Sequence, residues 1–262
     1  MGWDTTAERH DLTVNRAGDA LIAQCMAEQQ GHSPRGVFQR VLGISPWSSR
    51  AYPWYLGVEG ERRVAEQLTK LRGDWLVLHS VPIGNRGSDI DHVVFGPPGL
   101  FVVNTKRHVG KRINATERSL FIGGTRTDHL RNSRYEAERV RKLLAAAGLG
   151  FVPVYPVLAI TGADEVRVSR RLRDVTVIRG HEVRLALRRR RALTAEQIAY
   201  VADDLRRPEF WSPRPFQHVD EALRNQFEAI KREHLSAMWV RIGWVALACV
   251  VACSVTLRLL GK

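Results

Sequence analysis

The stretch from residue 88 to residue 106 reads SDIDHVVFGPPGLFVVNTK. Two apolar runs flank a four-residue turn of Gly and Pro at 96–99, a pattern that predicts a β-hairpin. With Phe95 paired to Leu100, polar side chains oppose one another across the two strands. They share one face of the sheet because side chains along a strand alternate with a period of two. The opposed pairs are Asp91 with Asn104 and Asp89 with Lys106.

Helical and strand patterns alternate imperfectly around this hairpin. Amphipathic spacing, capping residues and glycines predict helices over residues 16–30, 60–71, 130–147 and 195–205. Runs of apolar residues predict strands over residues 75–82, 90–95, 100–106, 119–123, 152–160 and 175–178. This arrangement predicts an α/β fold, with a mixed β-sheet flanked by helices rather than a doubly wound parallel sheet.

Glu61 stands on the inward side of the helix predicted at residues 60–71. It precedes Val64 and Ala65, which begin the apolar stripe of that helix, by three and four residues. One explanation is that Glu61 occupies the first helical turn, where a negative charge interacts favourably with the helix dipole. The other is that the carboxylate belongs to a functional site.

The helix and the hairpin together predict a cation site. Polar groups on an apolar strand are costly to bury unless they are paired or bind a ligand. Carboxylate oxygens suit a hard cation such as Mg²⁺, so Glu61 and Asp91 are candidate metal ligands. A bound cation would neutralise a phosphate and activate a water, and Lys106 could orient that water or stabilise developing charge. The competing interpretation is a simple ion pair between Asp89 and Lys106.

Three segments carry a resemblance to a known family: Gly60-Glu61, residues 89–97 and residues 100–110. In this order they resemble the nuclease-related domain (NERD), a family usually placed in the PD-(D/E)XK nuclease superfamily. The resemblance covers roughly residues 54–160. It implies a restriction-endonuclease-like core, nucleic acid as substrate and Mg²⁺ as the usual cofactor. The site that it implies consists of Glu61, Asp91, residue 104 and Lys106.

Residue 104 departs from the family pattern, which has Glu or Asp two residues before the lysine. Asn104 offers one neutral carbonyl oxygen in place of a carboxylate, so it is expected to be a weaker third metal ligand. Asp89, on the same predicted face, is an additional candidate ligand. In segment 131–136 the family commonly has Asn-Pro and a downstream Gln, and Asn132 alone matches.

The positive charge of the chain is concentrated in its central third. The net charge is +13, and residues 105–191 carry 21 basic and 8 acidic side chains, a difference of the same size. This distribution favours a surface that faces a polyanion, although a solvated basic face has the same composition. Nucleic acid is the expected partner, with DNA favoured over RNA, although the sequence does not decide between the two. The candidate contacts are Arg107, Lys111, Arg112, Arg131 and Arg134.

An uncharged run of sixteen residues, Ile242–Leu257, lies near the carboxyl end. Snorkelling of the arginines on either side extends the effective span to residues 238–260, which predicts a transmembrane helix. More basic residues precede the span than follow it, which favours a cytoplasmic main body. The alternative is a buried or interfacial helix. The three cysteines form no metal-type pair in the polar part of the chain, which favours a reducing compartment without a zinc site.

Other segments carry weaker signals. His92 should point to the face opposite Asp91 and is interpreted as a packed histidine, and His79, His108 and His129 share no close spacing. Residues 45–49 (SPWSS) read as a linker, and residues 84–87 as the loop that leads into the hairpin. The predicted division is an N-terminal extension with a short helix at 1–50, a nuclease-related domain at 51–185, a helical extension at 186–236 and a transmembrane helix at 237–260.

These features support three hypotheses about function. The leading one is a membrane-tethered nuclease-related protein that performs Mg²⁺-dependent phosphodiester hydrolysis. The second is a catalytically degenerate module that binds nucleic acid or a protein partner at the membrane, for which Asn104 is the main support. The third is a membrane scaffold whose basic segment contacts anionic lipid.

Overall fold

A computed structural model describes residues 11–84, 88–213 and 219–260 of the chain, so most of the predicted loop at 84–87 lies outside the described residues. The helices are α1 (Asp19–Gln29), α2 (Val37–Val41), α3 (Ala51–Leu68), α4 (His129–Ala146), α5 (Val183–Ala186), α6 (Ala195–Leu205), α7 (Pro208–Trp211) and α8 (Glu221–Leu260). The strands are β1 (Leu76–Ile83), β2 (Ser88–Gly96), β3 (Gly99–Arg107), β4 (Arg112–Ala115), β5 (Leu120–Ile122), β6 (Thr125–Thr127), β7 (Val154–Thr161), β8 (Glu165–Val168) and β9 (Thr176–Arg179).

The strands form two mixed sheets. The larger sheet has the order β1-β2-β3-β7-β9, in which β1, β2 and β3 are antiparallel and β7 and β9 run parallel to β3. The smaller sheet has the order β6-β5-β4-β8. The predicted α/β class with a mixed sheet and flanking helices is therefore confirmed. The second sheet was not predicted, because all four of its strands have only three or four residues and only β5 coincides with a predicted strand.

The register of the β2–β3 hairpin follows the prediction. Phe95 pairs with Leu100, and Gly96 pairs with Gly99, so the turn itself consists of two prolines. The ladder ends at His92 and Val103. Beyond that point β2 continues to pair with β1, and β3 continues to pair with β7. The predicted opposed pairs therefore lie just past the end of the ladder, where the two strands part.

Two apolar layers cover the large sheet. Val64 and Leu68 of α3 pack with Val94, Phe101 and Val103 on one face. The opposite face carries the alternate residues of the same strands, which pack against α4 through its buried residues Ala137, Val140 and Leu144. The hairpin is thus enclosed on both sides, and its polar ends are drawn into the protein with it.

Helix α3 begins nine residues earlier than predicted. The hydroxyl group of Ser48 accepts a hydrogen bond from the backbone N–H of Ala51 at 3.0 Å, a capping contact that the sequence prediction missed. Glu61 is consequently the eleventh residue of the helix and not part of its first turn. The helix-dipole explanation for Glu61 is therefore wrong, because that effect is confined to the first turn.

The chain forms two compact units, one from Leu56–His218 with the chain up to Leu21, the other from Ile22–Tyr55 with Val219–Lys262. This division differs from the four consecutive parts predicted from the sequence. In the second unit Trp47 is buried and stacks on Tyr55 with ring centroids 5.2 Å apart. The interpretation of residues 45–49 as a linker is thus wrong, because their central side chain belongs to a packed core.

Helix α8 of the second unit is continuous over 40 residues. Within the described residues it is the one helix long and apolar enough to cross a membrane, with the qualifying span at Glu221–Thr256. Its first half carries residues that pack in the second unit, such as the buried Phe227 and His234. In its second half, residues 241–256 are exposed, which covers the uncharged run up to residue 256.

Candidate active site at the parted ends of the hairpin

Asp91 is buried at the point where the hairpin strands part. Its Oδ2 atom accepts a hydrogen bond of 2.5 Å from the backbone N–H of Thr105, which ties the end of β2 to β3 after the ladder has stopped. Burial raises the pKa of Asp91, while the positive charge of Lys106 and the bond from Thr105 act in the opposite direction. The Oδ2 atom of this carboxylate thus holds the two strands together beyond the end of the ladder.

Glu61 is 2% exposed, and its Oε2 atom has no hydrogen-bond partner among the described residues. The backbone N–H of Gly18 donates to the carboxylate. Burial raises the pKa of Glu61 well above its usual value, and the negative charges of Asp91 and Asp89 add to that effect, whereas Lys106 opposes it. A buried carboxylate oxygen without a partner is unfavourable, which makes this atom a candidate ligand atom.

Asn104 is buried, and its Nδ2 atom donates a short hydrogen bond to Oε2 of Glu136 on α4. Burial raises the pKa of Glu136, the bond from Asn104 lowers it, and the charge of Asp91 raises it again. Sequence reasoning missed Glu136. The signal was available, because Glu136 lies three residues after Ser133 and four before Val140, both of which are buried on the inward side of the helix.

Asp89 and Lys106 complete the charged group. Both side chains are half-buried. Burial raises the pKa of Asp89 to about 7, the charge of Asp91 contributes in the same direction, and Lys106 opposes the shift. Lys106 is also the cation that lowers the pKa of Glu61 and Glu136. The structure therefore brings all five predicted site residues into one electrostatically connected group and adds Glu136 to it.

The opposite face of the hairpin has a different character. His92 is fully buried, and its Nδ1 atom lies 2.8 Å from Nδ1 of His79, while its Nε2 atom lies 3.4 Å from the hydroxyl of Thr105. Burial lowers the pKa of both histidines, that of His79 to about 4, so the rings are held neutral. The interpretation of His92 as a packed and bonded residue facing away from Asp91 is confirmed.

Two other histidines meet at the edge of the site. The rings of His108 and His129 lie with their centroids 5.7 Å apart. Burial, Lys106 and His108, in that order, lower the pKa of His129 to about 4. The two residues come together because β3 ends near the start of α4, a relationship that their spacing in the sequence does not reveal.

The predicted nucleic-acid contacts differ in their surroundings. Arg134 forms two hydrogen bonds with the carboxylate of Asp174, at 2.5 and 3.1 Å, and Arg131 pairs with Asp128 at 2.9 Å. Arg107 is half-buried, with its Cβ atom next to the position that a side chain on Gly60 would occupy. Lys111 and Arg112 are exposed at the start of the smaller sheet.

The candidate metal donors at the site are two carboxylates and one carboxamide, the oxygen groups that hard cations bind. No group of three or more His, Cys, Asp or Glu side chains in the described parts of the chain is arranged to hold a metal ion. A set of two carboxylates and one carboxamide does not require such a group. The candidate donors are the Oε2 atom of Glu61, which has no partner among the described residues, the carboxylate of Asp91, and the carbonyl oxygen of Asn104, whose nitrogen donates to Glu136.

Residues 56–161 match the family model described as the nuclease-related domain, NERD. This range contains the β2–β3 hairpin, all of α4 and most of α3. This part of the chain is similar to a nuclease-related domain. The match agrees with the predicted extent of residues 54–160, and the placement of NERD in the PD-(D/E)XK superfamily is consistent with it. No match was found among curated proteins or among solved structures.

Proposed function

We propose that the NERD domain hydrolyses phosphodiester bonds of nucleic acid, DNA rather than RNA, with the help of Mg²⁺. The observation that carries this proposal is the unpartnered Oε2 atom of Glu61 in electrostatic contact with Asp91 and Lys106. A site of this kind keeps a buried acid at a cost in stability. A ligand that is positively charged offsets that cost.

Glu61 and Asp91 are the principal metal ligands in this proposal, and Asn104 is the third. When bound, Mg²⁺ would neutralise the scissile phosphate and lower the pKa of a water molecule. Asp91 keeps the ends of β2 and β3 at the spacing that its bond to Thr105 defines. Asp89, with a pKa of about 7, gains or loses a proton near neutral pH and can accept one from an attacking water.

Lys106 supplies the positive charge at the site. Its charge opposes the raised pKa of Glu61, Asp89, Asp91 and Glu136, and Arg139 acts in the same direction on Glu136. In the reaction the ammonium group would bind the phosphate and stabilise the negative charge that develops on it.

Glu136 provides the negative charge that Asn104 lacks. The bond from Nδ2 of Asn104 to the Glu136 carboxylate polarises the amide and makes its carbonyl oxygen a better acceptor for a cation. It also fixes the amide so that this oxygen, not the nitrogen, is available. The pair thus does the work of one carboxylate at the third ligand position, which favours catalysis over a degenerate site.

Helix α8 would anchor the protein in a membrane, with the main body on the cytoplasmic side. Its exposed, uncharged run is preceded by Lys231, Arg232 and Arg241. The positive-inside rule associates such residues with the cytoplasmic end of a span.

A cleavage assay with the full chain in detergent micelles tests the enzymatic proposal. Supercoiled DNA, single-stranded DNA and RNA are incubated with Mg²⁺ or with EDTA. Asp91→Ala and Lys106→Ala should abolish the metal-dependent cleavage. The matched controls Asp203→Ala and Lys142→Ala remove the same charges from exposed positions and should retain it. Cleavage that survives both site variants would refute the proposal.

A second candidate function is a module that binds nucleic acid without cutting it, which Asn104 favours. The discriminating variants are Asn104→Glu and the exchange Asn104→Glu with Glu136→Gln. The exchange matters because Asn104→Glu alone would place two carboxylates in contact. If the wild type binds DNA without cleaving it and either variant cleaves, the binding module is the correct description.

A further inference from the structure

We propose that the short helix α2 and the residues that follow it enter the interface between a membrane and water beside α8. We call residues 37–44 the interfacial segment. This inference rests on the proposed membrane anchor but not on the nuclease activity. The partner that it assigns to this surface is a phospholipid bilayer.

The interfacial segment exposes large apolar side chains that nothing in its own unit covers among the described residues. Val37 is 81% exposed and Phe38 is 75% exposed. Exposed single hydrophobic residues are ordinary, but a contiguous group on a short helix marks a surface that meets another apolar phase. The other exposed members are Val41, Leu42 and Ile44.

Contacts with α8 fix the position of the segment along that helix. The indole N–H of Trp244 donates to the carbonyl oxygen of Val41 at 2.7 Å. Gly43 has a φ of +66°, and a Cβ atom there would lie 2.6 Å from the carbonyl oxygen of Ala237 and 2.8 Å from Cγ of Arg241. The backbone of the segment therefore lies against α8 at the level of residues 237–244, which only a glycine at position 43 permits.

That level is where the uncharged run of α8 begins, at Ile242. If α8 crosses a bilayer, residues 237–244 lie at headgroup depth, and the segment that contacts them lies there too. Trp239 and Trp244 are exposed at the same level, as is typical of tryptophans at membrane interfaces. A helix at this depth places its apolar side chains about 5–10 Å into the boundary between headgroups and acyl chains.

The charges around the segment suit lipid phosphates. Arg35, Arg40 and Arg232 line a groove between the segment and α8, together with Glu233. Arg35 is engaged by Glu233 at 2.9 Å, whereas Arg40 and Arg232 are exposed. Apolar side chains with arginines beside them form the pattern of an interfacial helix on an anionic membrane.

Site-specific labelling of the full chain in phosphatidylglycerol-containing vesicles tests the inference. Phe38→Cys is introduced together with Cys249→Ala and Cys253→Ala and labelled with an environment-sensitive fluorophore. Cys25 is buried, and burial raises the pKa of its thiol to about 12, so it should not react. We expect blue-shifted emission, quenching by lipids with a shallow spin label, and several-fold weaker quenching by aqueous iodide than at a control position.

Two reference positions on α8 make the outcomes distinct. Asn225→Cys lies about 24 Å along the helix from Arg241 and should report water, whereas Val250→Cys should report the lipid interior. A lipid signal at position 250 with a water signal at position 38 overturns the inference and leaves the anchor intact. Water signals at both positions overturn the anchor and the inference together. Protection at position 38 from iodide and from lipid quenchers alike overturns it in favour of a protein contact.

Discussion

Two helices of 18 residues cover opposite faces of the large sheet, and each carries one glutamate on its inward side. Glu61 of α3 keeps an oxygen without a partner among the described residues, whereas Glu136 of α4 binds the side chain of Asn104. Burial raises the pKa of both. In the proposed function this difference separates two roles: Glu61 would bind a ligand, and Glu136 would orient and polarise the neighbouring amide of Asn104.

The largest effect is expected from Glu61→Gln. This variant should abolish binding of Mg²⁺ and metal-dependent cleavage, because it removes the oxygen that has no other partner. The same change should raise the melting temperature in EDTA, since the folded protein no longer holds a buried acid with a raised pKa. Calorimetric titration with Mg²⁺ and thermal unfolding measure the two effects.

Glu66→Gln is the matched control for that experiment, because Glu66 lies on the same helix and is exposed. It should change neither metal affinity nor cleavage. A Glu61→Gln protein that still binds Mg²⁺ as the wild type does would show that the unpartnered oxygen is not a ligand atom.

Substitutions in the Asn104–Glu136 pair should have the next largest effect on Mg²⁺ affinity. The double variant combines Asn104→Glu with Glu136→Gln. Glu136→Gln alone should weaken Mg²⁺ binding by about tenfold, the range observed when partners of metal ligands are removed. Asn104→Glu alone should place two carboxylates in contact, and the double variant should restore affinity to the wild-type range or above it. Glu138→Gln, an exposed position on the same helix, is the control. Independent, additive effects of the two changes would contradict the proposed role of Glu136.

The pH dependence of stability tests Asp89. In the folded protein the Asp89 carboxyl group keeps its proton up to about pH 7, whereas in an unfolded chain it loses the proton near pH 4. Below pH 4 the proton is bound in both states, so the contribution of Asp89 to stability falls as pH rises from about 4 to about 7. Asp89→Asn should therefore raise the melting temperature in EDTA at pH 8 more than at pH 5.

A bound cation should lower the pKa of Asp89, whereas burial raises it. Because it favours the ionised forms of the acids, Mg²⁺ affinity should increase as pH rises through 7. An Asp89→Asn protein whose melting temperature keeps the wild-type dependence on pH would refute the assignment of this titration to Asp89.

The smallest effect is expected at Arg134, which lies on α4 away from the acids. Its guanidinium group is engaged by Asp174, so Arg134→Gln should lower stability by only about 0.5 kcal/mol and leave DNA affinity unchanged. Arg112→Gln removes an exposed charge and should reduce the slope of log affinity against log salt by about 1 if that residue contacts a phosphate. Fluorescence anisotropy with labelled DNA at several salt concentrations separates the two variants.

The sequence was sufficient for the hairpin and for Glu61, because each rests on a short-range pattern. Alternation in the apolar strands determines the register from Phe95 and Leu100, and helical spacing places Glu61 inward. Glu136 also lies at helical spacing from buried residues of its helix, but it was not predicted because it is isolated from the motifs of the hairpin. The start of α3 was missed because its cap, Ser48, lies in a segment that reads as a linker.

The remaining features depend on contacts between distant parts of the chain. The meeting of His108 with His129 follows from where β3 ends and α4 begins, and no local pattern encodes it. The end of the ladder at His92 and Val103 likewise depends on the neighbours β1 and β7, which draw the two strands apart. Such features become visible only when the sheet order is known.

The uninterrupted course of α8 has a mechanical consequence. A helix of 40 residues is about 60 Å long, and no joint separates the turns that carry Phe227 and His234 from the uncharged run. A flexible linker at this position would let the residues packed around Phe227 and His234 reorient freely relative to a bilayer. If α8 crosses a bilayer, an unbroken helix couples the tilt of its membrane-spanning end to the residues packed around its other end. Bilayer thickness, which sets the tilt of such a helix, would therefore set the orientation of those residues as well.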